Sequence, residues 1–437
     1  MEQIFESTCA TMTQRHALFV AFHVPPEASS SGVLRTLKYI RYLDELGWRV
    51  TVISPAPDAY EVTDPALEGQ LPSSCRVERT PYLNTKRDLS LFGRYPALLA
   101  VPDRWVGWLP WGVAAGRKIS KADPFDLVYS TSPQATAHLI GSRIAQTSRR
   151  PWVTDFRDPW FEEPPEPGAP SGTVFRAIDR WLERGVIERC AHVVTSTTQL
   201  RDLLRQRYPQ LPADKVTAIL NGYDEADFVG LPPPVTGNSD RFVIVHAGSL
   251  NPEFRDPQPL LRALRIAADR GTIDIARLQL RFLGGGAFGE SKRMHETLAA
   301  SGVGSVVEFV GRVAYDEALR EFGRADMLLL LQASEDTINL VPAKLYEYLR
   351  AQRPVLALVR PGAAAEVLAT TGGGWAVDPR DTEGLTNAIG YAYEAWRTGS
   401  LQARTADLAA LRQFDRKVLT SQLAAVFETA LQSAGRG

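Results

Sequence analysis

Residues 16–53, HALFVAFHVPPEASSSGVLRTLKYIRYLDELGWRVTVI, contain one strand–helix–strand unit. The apolar run over 16–24 predicts a strand, and 48–53 predicts a second one. Between them, apolar side chains recur at helical spacing over 33–46, which predicts a covering helix. Because a parallel pair of strands needs such a crossover, this unit indicates an α/β fold with a parallel sheet.

The same alternation continues along the chain. Further strands are predicted at 126–130, 152–156, 192–196, 215–220, 242–248, 278–283, 306–310, 327–331, 354–359 and 375–377. Helices are predicted at 256–270, 343–350 and 382–397, with one long final helix at 401–432. Strands interleaved with helices predict doubly wound, Rossmann-like architecture throughout.

The Pro/Gly-rich segment VGLPPPVTGNSD, residues 229–240, predicts a linker between two domains. A chain of 437 residues with 44% hydrophobic residues is long enough for two cores. We therefore expect two Rossmann-like domains facing each other across a cleft. The predicted organisation is a disordered N-terminus (1–15), an N-terminal domain (16–228), the linker, a C-terminal domain (241–400) and a helix (401–437) that packs back on the N-terminal domain.

Composition narrows the function classes. The 49 Lys and Arg residues balance 50 Asp and Glu residues, so net charge gives no support for nucleic-acid binding. Three scattered cysteines form no CxxC pair and fit a reducing cytosol. Neither a signal-peptide pattern nor a membrane-spanning apolar run is present, which predicts a cytoplasmic protein.

Candidate functional residues follow predicted strands, where ligands bind in open parallel sheets. In the loop 25–35, Gly32 lets the backbone approach a ligand at a helix N-terminus; an ordinary capped turn is the alternative. His138 follows the strand at 126–130, either as a ligand of a hydroxyl or phosphate or as a structural histidine. Asp155, Arg157 and Asp158 follow the next strand, and they fit either hydroxyl binding or a buried ion-pair network.

The predicted second domain carries the stronger pattern. Arg255 follows its first strand, where a guanidinium could neutralise a diphosphate. Lys344 lies at the start of the helix at 343–350, where a cation and free N–H groups together favour phosphate oxygens. Glu347 lies one turn further, and a carboxylate suits a ribose diol. The alternative for this helix is an amphipathic element with solvated charges.

In this order the segments resemble glycosyltransferase family 4, a retaining family with the GT-B fold, over residues 16–397. The resemblance is to the bacterial branch that builds polysaccharides and glycoconjugates. The blocks that carry it are GVLRTLK (32–38), DFRDPW (155–160), NGYD (221–224), GSLNPEFRDP (248–257), PAKLYEYL (342–349) and PVL (354–356).

The resemblance implies a hexosyltransferase-type enzyme that moves a sugar from a nucleotide-diphosphate donor to an acceptor hydroxyl with retention. Attack on the same face would let the leaving phosphate take the acceptor proton. Three groups of site residues follow: His138, Arg255 and Lys344 as catalytic; Gly32, Gly248, Gly285, Arg312, Asn339, Pro342 and Glu347 as donor-binding; Arg35, Asp155, Arg157 and Asp158 in the acceptor or sugar pocket.

One position departs from the family pattern. The E-x7-E motif would place its first glutamate at Asn339, and Glu335 and Asp336 are the nearby substitutes. No DxD motif is present, so we expect no metal and no cofactor, with the nucleotide sugar as a substrate. The remaining alternatives are a non-hydrolysing sugar-nucleotide epimerase and a non-catalytic GT-B partner subunit.

The expected acceptor is a glycan, a lipid-linked molecule or a small molecule. Trp105, Trp108 and Trp111 recur at three-residue spacing with basic residues nearby. They either form a patch for peripheral contact with the inner membrane surface or pack within the N-terminal domain.

Overall fold

The computed structural model describes residues 14–28, 32–90, 95, 97–161, 173–232, 240–332, 334 and 337–435. The chain forms two compact units. The first unit comprises Met1–Thr195, Tyr208–Thr217 and Thr420–Gly437, and the second comprises Ser196–Arg207 and Ala218–Leu419. Residues 1–13 of the predicted disordered N-terminus and 233–239 of the predicted linker lie outside the described residues.

The first unit is built on a seven-stranded sheet with the order β3-β2-β1-β4-β5-β6-β7. The pairings from β3 to β6 are all parallel. Its strands are β1 Arg15–Ala21, β2 Trp48–Pro55, β3 Arg76–Thr80, β4 Leu127–Thr131, β5 Trp152–Phe156, β6 His192–Thr195 and β7 Val216–Ala218.

Strand order reverses between β1 and β4, so the crevice beyond their carboxyl ends is the expected ligand position in this sheet. In β1, Ala17 pairs with Val50 on one side and Leu127 on the other. Residues 17–21 of β1 are fully buried, as expected for a parallel strand covered on both faces. The helices that lie wholly in this unit are α1 Gly32–Glu45, α2 Pro65–Glu68, α3 Thr85–Asp88, α4 Leu109–Ala122, α5 Ala135–Ser148 and α6 Thr173–Arg189.

The second unit has a six-stranded, all-parallel sheet with the order β10-β9-β8-β11-β12-β13. Its strands are β8 Phe242–Ser249, β9 Leu278–Gly285, β10 Val307–Gly311, β11 Met327–Gln332, β12 Val355–Val359 and β13 Gly374–Val377. The reversal of strand order falls between β8 and β11. Helix α7 Thr198–Arg207 also belongs here, and Gln199 Nε2 donates to Glu366 Oε2 at 2.6 Å.

The helices of the second unit fill both faces of its sheet, as the two-domain α/β prediction requires. After α7 they are α8 Gln258–Asp269, α9 Gly286–Gly289, α10 Lys292–Ser301, α11 Tyr315–Arg324, α12 Ala343–Arg350, α13 Ala363–Thr371, α14 Thr382–Arg397 and α15 Leu408–Leu411. The two-domain, parallel α/β architecture is confirmed, and α12 and α14 have the predicted limits.

Two local predictions were wrong. Strand β3 was missed, because RVERT has a single apolar residue, Val77, and lies at the edge of the sheet. The single helix predicted at 401–432 is broken into short turns, α15 and α16 Arg416–Ala434. The side chains of Asp407 and Asp415 accept hydrogen bonds from Ala409 and Lys417 N–H at 2.8 Å, which starts new helical segments.

The last part of α16 belongs to the first unit. There Phe427 contacts the rings of Phe19, Trp48 and Tyr129 at centroid distances of 6.3, 5.3 and 5.6 Å. The C-terminal segment therefore completes the aromatic core under β1.

Candidate functional site

In the first unit, Asp155 lies in a closed hydrogen-bond network. Arg35 donates to it from Nη2 at 2.8 Å and from Nε at 3.1 Å, and both side chains are almost fully buried. Tyr129 and Thr131 hydroxyls also donate to its Oδ2, at 2.8 and 2.9 Å. Burial alone would raise the pKa of Asp155, but Arg35 and these donors hold it below its usual value. Of the two readings of Asp155, the buried ion pair matches this geometry.

Gly32 and Arg157 are neighbours. A Cβ atom at position 32 would collide with the guanidinium of Arg157, so this side chain fills the space that the glycine leaves. Arg157 N–H donates to Ser132 Oγ at 2.7 Å, which fixes the turn after β5 beside the turn after β4. Asp158 follows, and burial raises its pKa while Arg157 and His23 oppose that rise.

His138 is fully buried in α5 beside two aromatic rings. Its ring stacks on Phe156 and Trp160 at centroid distances of 4.7 and 6.0 Å. Nδ1 lies 2.8 Å from Ser130 Oγ, whereas Nε2 is buried without a hydrogen-bond partner. Burial lowers its pKa to about 3, so the imidazole is neutral. An unsatisfied buried nitrogen is costly, and a ligand hydroxyl would satisfy it.

Trp105 and Trp108 pack inside the first unit. Trp105 lies 4.6 Å from Phe22 and 5.4 Å from Tyr82 by ring centroids. Trp108 is fully buried, and its Nε1 donates to Thr80 Oγ1 at 2.7 Å. Trp105 and Trp108 therefore agree with packing inside the domain rather than with an exposed membrane-contact patch.

In the second unit, Lys344 lies against the end of β8. Its Nζ donates to Ala247 O at 2.5 Å, and it fills the space beside Gly248, where a Cβ atom would collide with the ammonium. Gly248 has φ +118°, which favours glycine. Burial, followed by the repulsion of Arg255, lowers the pKa of Lys344 to about 7.

Arg255 lies in the segment that follows β8. Its Nη1 donates to Ser249 Oγ at 2.9 Å, and burial lowers its pKa. Among the described residues, neither Arg255 nor Lys344 has a carboxylate within ion-pair distance. Two neighbouring cations without a counterion form a site for an anion.

Glu347 lies one turn along α12 and is almost fully buried. Tyr315 OH donates to its Oε1 at 2.9 Å, and no described residue hydrogen-bonds Oε2. Burial raises the pKa of Glu347, an effect that Tyr315 and Arg416 oppose. Oε2 is therefore available to accept hydrogen bonds from a vicinal diol.

Glycines shape the floor of this region. Gly248 pairs with Gly284 across β8 and β9, and Gly284, Gly285 and Gly286 all have positive φ, at 107°, 56° and 67°. Leu250 N–H donates to Gly285 O at 2.9 Å, which ties the two strand ends together. Because these residues are glycines, the backbone at the ends of β8 and β9 carries no side chains next to Lys344 and Arg255.

Three further predicted donor residues, Pro342, Asn339 and Arg312, belong to the same unit. Pro342 is the N-cap residue of α12 and has an extended conformation. Asn339 is half-buried in a turn held by Gln332, whose Nε2 donates to Thr337 O and Leu340 O at 2.8 and 3.0 Å. Arg312 is exposed after β10. Glu335 and Asp336 lie outside the described residues.

The sequence interpretation missed three side chains, one in the second unit and two in the first. Tyr315 holds Glu347, and no pattern predicted it. His23 and Glu27 form a contact of 3.0 Å after β1, and their four-residue spacing following a strand was the available signal. No group of three metal-ligating side chains occurs among the described residues. None of the helices in the described part of the chain is long and apolar enough for a bilayer span.

Comparison with known proteins agrees with this architecture. Residues 32–222 match the model of the glycosyl transferase 4-like domain, and residues 241–395 match that of glycosyl transferases group 1. Together these matches cover most of the chain. The protein therefore belongs to the GT4-type glycosyltransferases with the GT-B fold. No curated protein sequence matches the chain significantly.

Several solved structures share the fold at low sequence identity. HepE of Anabaena in complex with UDP and glucose is similar with a TM-score of 0.66 and 18% identity, covering 95% of this chain and 100% of HepE. Sucrose-phosphate synthase of Thermosynechococcus elongatus has a TM-score of 0.65 and 15% identity, covering 96% and 100%. A glycosyltransferase of Rickettsia africae has a TM-score of 0.65 and 15% identity, covering 96% and 99%.

Proposed function

We propose that this glycosyltransferase transfers a hexosyl group from a nucleotide-diphosphate sugar to an acceptor hydroxyl, with retention, in the synthesis of a cytoplasmic polysaccharide or glycoconjugate precursor. The observation that carries the donor assignment is the pair of cations at the end of β8. Lys344 and Arg255 lack a carboxylate partner among the described residues, and a diphosphate supplies the missing charge.

Donor binding then distributes over three groups. Lys344 has two N–H donors left after its bond to Ala247 O, and Arg255 offers a guanidinium fork to the phosphate oxygens. Glu347 accepts the ribose hydroxyls through Oε2. HepE of Anabaena, which has the same fold, has been solved with UDP and glucose, and this supports the donor class.

The chemistry is dominated by charge separation. The bond between the anomeric carbon and the phosphate oxygen breaks, and its electron pair passes to the diphosphate while positive charge develops on the sugar. Fixed cations aimed at the diphosphate stabilise this transition state, and they supply the charge that a divalent metal brings elsewhere. We propose that His138 Nε2 hydrogen-bonds the transferred sugar. We also propose that the acceptor attacks the face of the sugar from which the diphosphate leaves, which gives retention.

A thermal-shift screen with UDP-, GDP- and dTDP-sugars, with and without EDTA, tests the donor assignment, since a bound ligand raises the melting temperature. Arg255→Ala and Glu347→Ala should each reduce the thermal shift, and each should lower the transfer rate at least about tenfold, equal to about 1.4 kcal/mol. Arg262→Ala, at an exposed position of α8, is the control. Normal donor use by both site variants would exclude this function for the pocket.

The anomeric configuration of the first product, followed by NMR, tests retention directly. An inverted product would leave the donor site in place and remove the same-face mechanism. A glycan, lipid-linked and small-molecule acceptor panel, together with co-sedimentation on anionic vesicles, tests the acceptor class and the proposed peripheral contact with the inner membrane surface.

A further inference from the structure

The carboxylate of Glu347, on α12, has one oxygen bound within the protein and one oxygen left for a ligand. Tyr315 OH donates to Oε1 at 2.9 Å, whereas no described residue hydrogen-bonds Oε2. Glu347 is only 8% exposed, so Oε2 is largely withdrawn from water. Because a buried acceptor without a donor is costly, this position favours a ligand that brings hydroxyl groups.

Tyr315 fixes the direction in which Oε2 faces. Asp227 Oδ2 lies 3.3 Å from the same hydroxyl, so the phenol is held between two carboxylates. Burial and these two negative charges raise the pKa of Tyr315 well above its usual value, which keeps the proton on the phenol oxygen. The phenol therefore acts as a donor, and its shorter contact is with Glu347. Rotation of the Glu347 carboxylate would break this hydrogen bond, so Oε2 keeps one orientation.

The cation proposed to bind the diphosphate lies on the same helix. Lys344 and Glu347 are three residues apart in α12, and side chains at this spacing are neighbours on a helix surface. The attraction of Glu347 also opposes the fall in the pKa of Lys344. A nucleoside diphosphate carries phosphate oxygens and ribose hydroxyls on one molecule, so it fits both groups together. Lys344, Glu347, Tyr315 and Asp227 all belong to the second unit.

We propose that this subsite selects ribonucleoside diphosphates over their 2′-deoxy counterparts, and that Tyr315 is the positioning residue for the selection. The inference rests on the proposed donor function and narrows the donor class within it. The 2′- and 3′-hydroxyls both donate to Glu347 Oε2, which has two lone pairs to receive them. A 2′-deoxyribose lacks one of these donors and leaves a buried carboxylate lone pair without a partner. The site thus favours UDP- or GDP-sugars over dTDP-sugars.

Equilibrium binding of matched nucleotides tests the selection without an acceptor and without turnover. The probes are UDP, GDP and ADP, each compared with the 2′-deoxynucleotide of the same base. The ribonucleotide of the best-binding pair should have a dissociation constant at least about tenfold lower, because its partner lacks a hydrogen bond to a charged group. Tyr315→Phe should narrow this ratio by weakening the ribonucleotide more than its partner, and Glu347→Ala should bring the ratio close to one.

The pH dependence of the same ratio distinguishes positioning from a structural role. Burial raises the pKa of Glu347, and the hydrogen bond from Tyr315 is the largest effect that opposes the rise. Arg416 and Lys344 also lower this pKa, whereas Asp227 raises it. Ribose hydroxyls favour the ionised carboxylate, so the ratio should fall as the pH falls through the pKa of Glu347. In Tyr315→Phe the midpoint should move to higher pH, and protonation of Lys344 affects both nucleotides of a pair alike.

Tyr391→Phe, at a position of α14 that is 72% exposed, is the matched control. Tyr315 is itself 40% exposed, so loss of its hydroxyl should leave the free energy of unfolding nearly unchanged. Equal dissociation constants for the two members of each pair, or a ratio and a midpoint that Tyr315→Phe leaves unchanged, would overturn the proposal but not the donor site. If no nucleoside diphosphate binds at all, the proposed function itself is refuted.

Discussion

Arg35 in the first unit and Lys344 in the second are both buried cationic side chains, but they differ in the groups that they contact. Arg35 meets Asp155 through two hydrogen bonds of 2.8 and 3.1 Å. Burial alone would lower its pKa, but Asp155 raises the pKa above its usual value. Lys344 meets a neutral carbonyl at 2.5 Å. Burial and the repulsion of Arg255 outweigh the attraction of Glu347, and they lower the pKa of Lys344 to about 7.

The difference separates a structural role from a binding role. A buried cation with its counterion is complete and leaves little charge for a ligand. A cation that faces dipoles and another cation raises the energy of the unliganded protein, and an incoming anion relieves this strain. On this view Asp155, at the end of β5, stabilises the first unit with Arg35, while Arg255 and Lys344, near the end of β8, are the residues that we propose bind the donor.

The largest effect that we predict is on stability. Asp155→Asn removes the negative charge that faces the buried Arg35, and the free energy of unfolding should fall by about 3–5 kcal/mol. Urea unfolding followed by tryptophan fluorescence measures it. The matched control is Glu188→Gln, which breaks the exposed pair with Arg184 and should cost less than about 1 kcal/mol. Equal losses in the two variants would end the distinction between the two kinds of ion pair.

Lys344→Met should give the reverse pattern. Removing a charge without a counterion should leave the free energy of unfolding unchanged or raise it slightly in the absence of nucleotide. Affinity for the nucleoside diphosphate should fall about 100-fold, which is about 2.7 kcal/mol, by isothermal titration calorimetry. A variant that unfolds easily yet binds nucleotide normally would make Lys344 structural, like Arg35.

The two sheets and most strand boundaries could be predicted, because buried parallel strands are apolar along their whole length. Segments with helical periodicity separate them in the sequence. The edge strand β3 carries too little apolar pattern, and the breaks after Leu401 depend on capping by Asp407 and Asp415. Hydrogen bonds from a side chain to the nearby backbone compete with a continuous helix, and hydrophobic periodicity does not reveal them.

The residues of the candidate site could be predicted from the sequence, but the side chains that they contact could not. Asp155 fitted two roles until its contact with Arg35, 120 residues earlier, became visible. Likewise, Gly32 was interpreted as room for a ligand to approach the backbone, and Gly248 as a donor-binding residue. The structure fills that room with Arg157 and Lys344 side chains. Spacing along the chain carries no information on which distant side chain occupies a gap.

The pH dependence of donor binding sharpens the assignment of Lys344. Its pKa of about 7 in the unliganded protein means that the ammonium is largely deprotonated at about pH 8. A diphosphate favours the charged form, so binding should take up a proton there, and affinity should fall by up to about tenfold per pH unit above about pH 7. Calorimetry in two buffers of different ionisation enthalpy measures the uptake. Lys344→Arg should abolish it, and proton release or no exchange in the unmodified protein would contradict the assignment.

The smallest effect that we predict comes from two glycine variants, which distinguish backbone strain from displacement of the Lys344 ammonium. Gly248→Ala and Gly271→Ala both place a side chain at positive φ, which should cost each about 1–2 kcal/mol of stability. Nothing lies within 4 Å of the Cβ position at Gly271, whereas the Cβ of Gly248→Ala would collide with the Lys344 ammonium. Only Gly248→Ala should therefore weaken nucleotide binding, by a few-fold to about tenfold, with proton uptake reduced in parallel. If both variants bind nucleotide equally well, Lys344 tolerates displacement, and its position beside β8 is not what sets donor affinity.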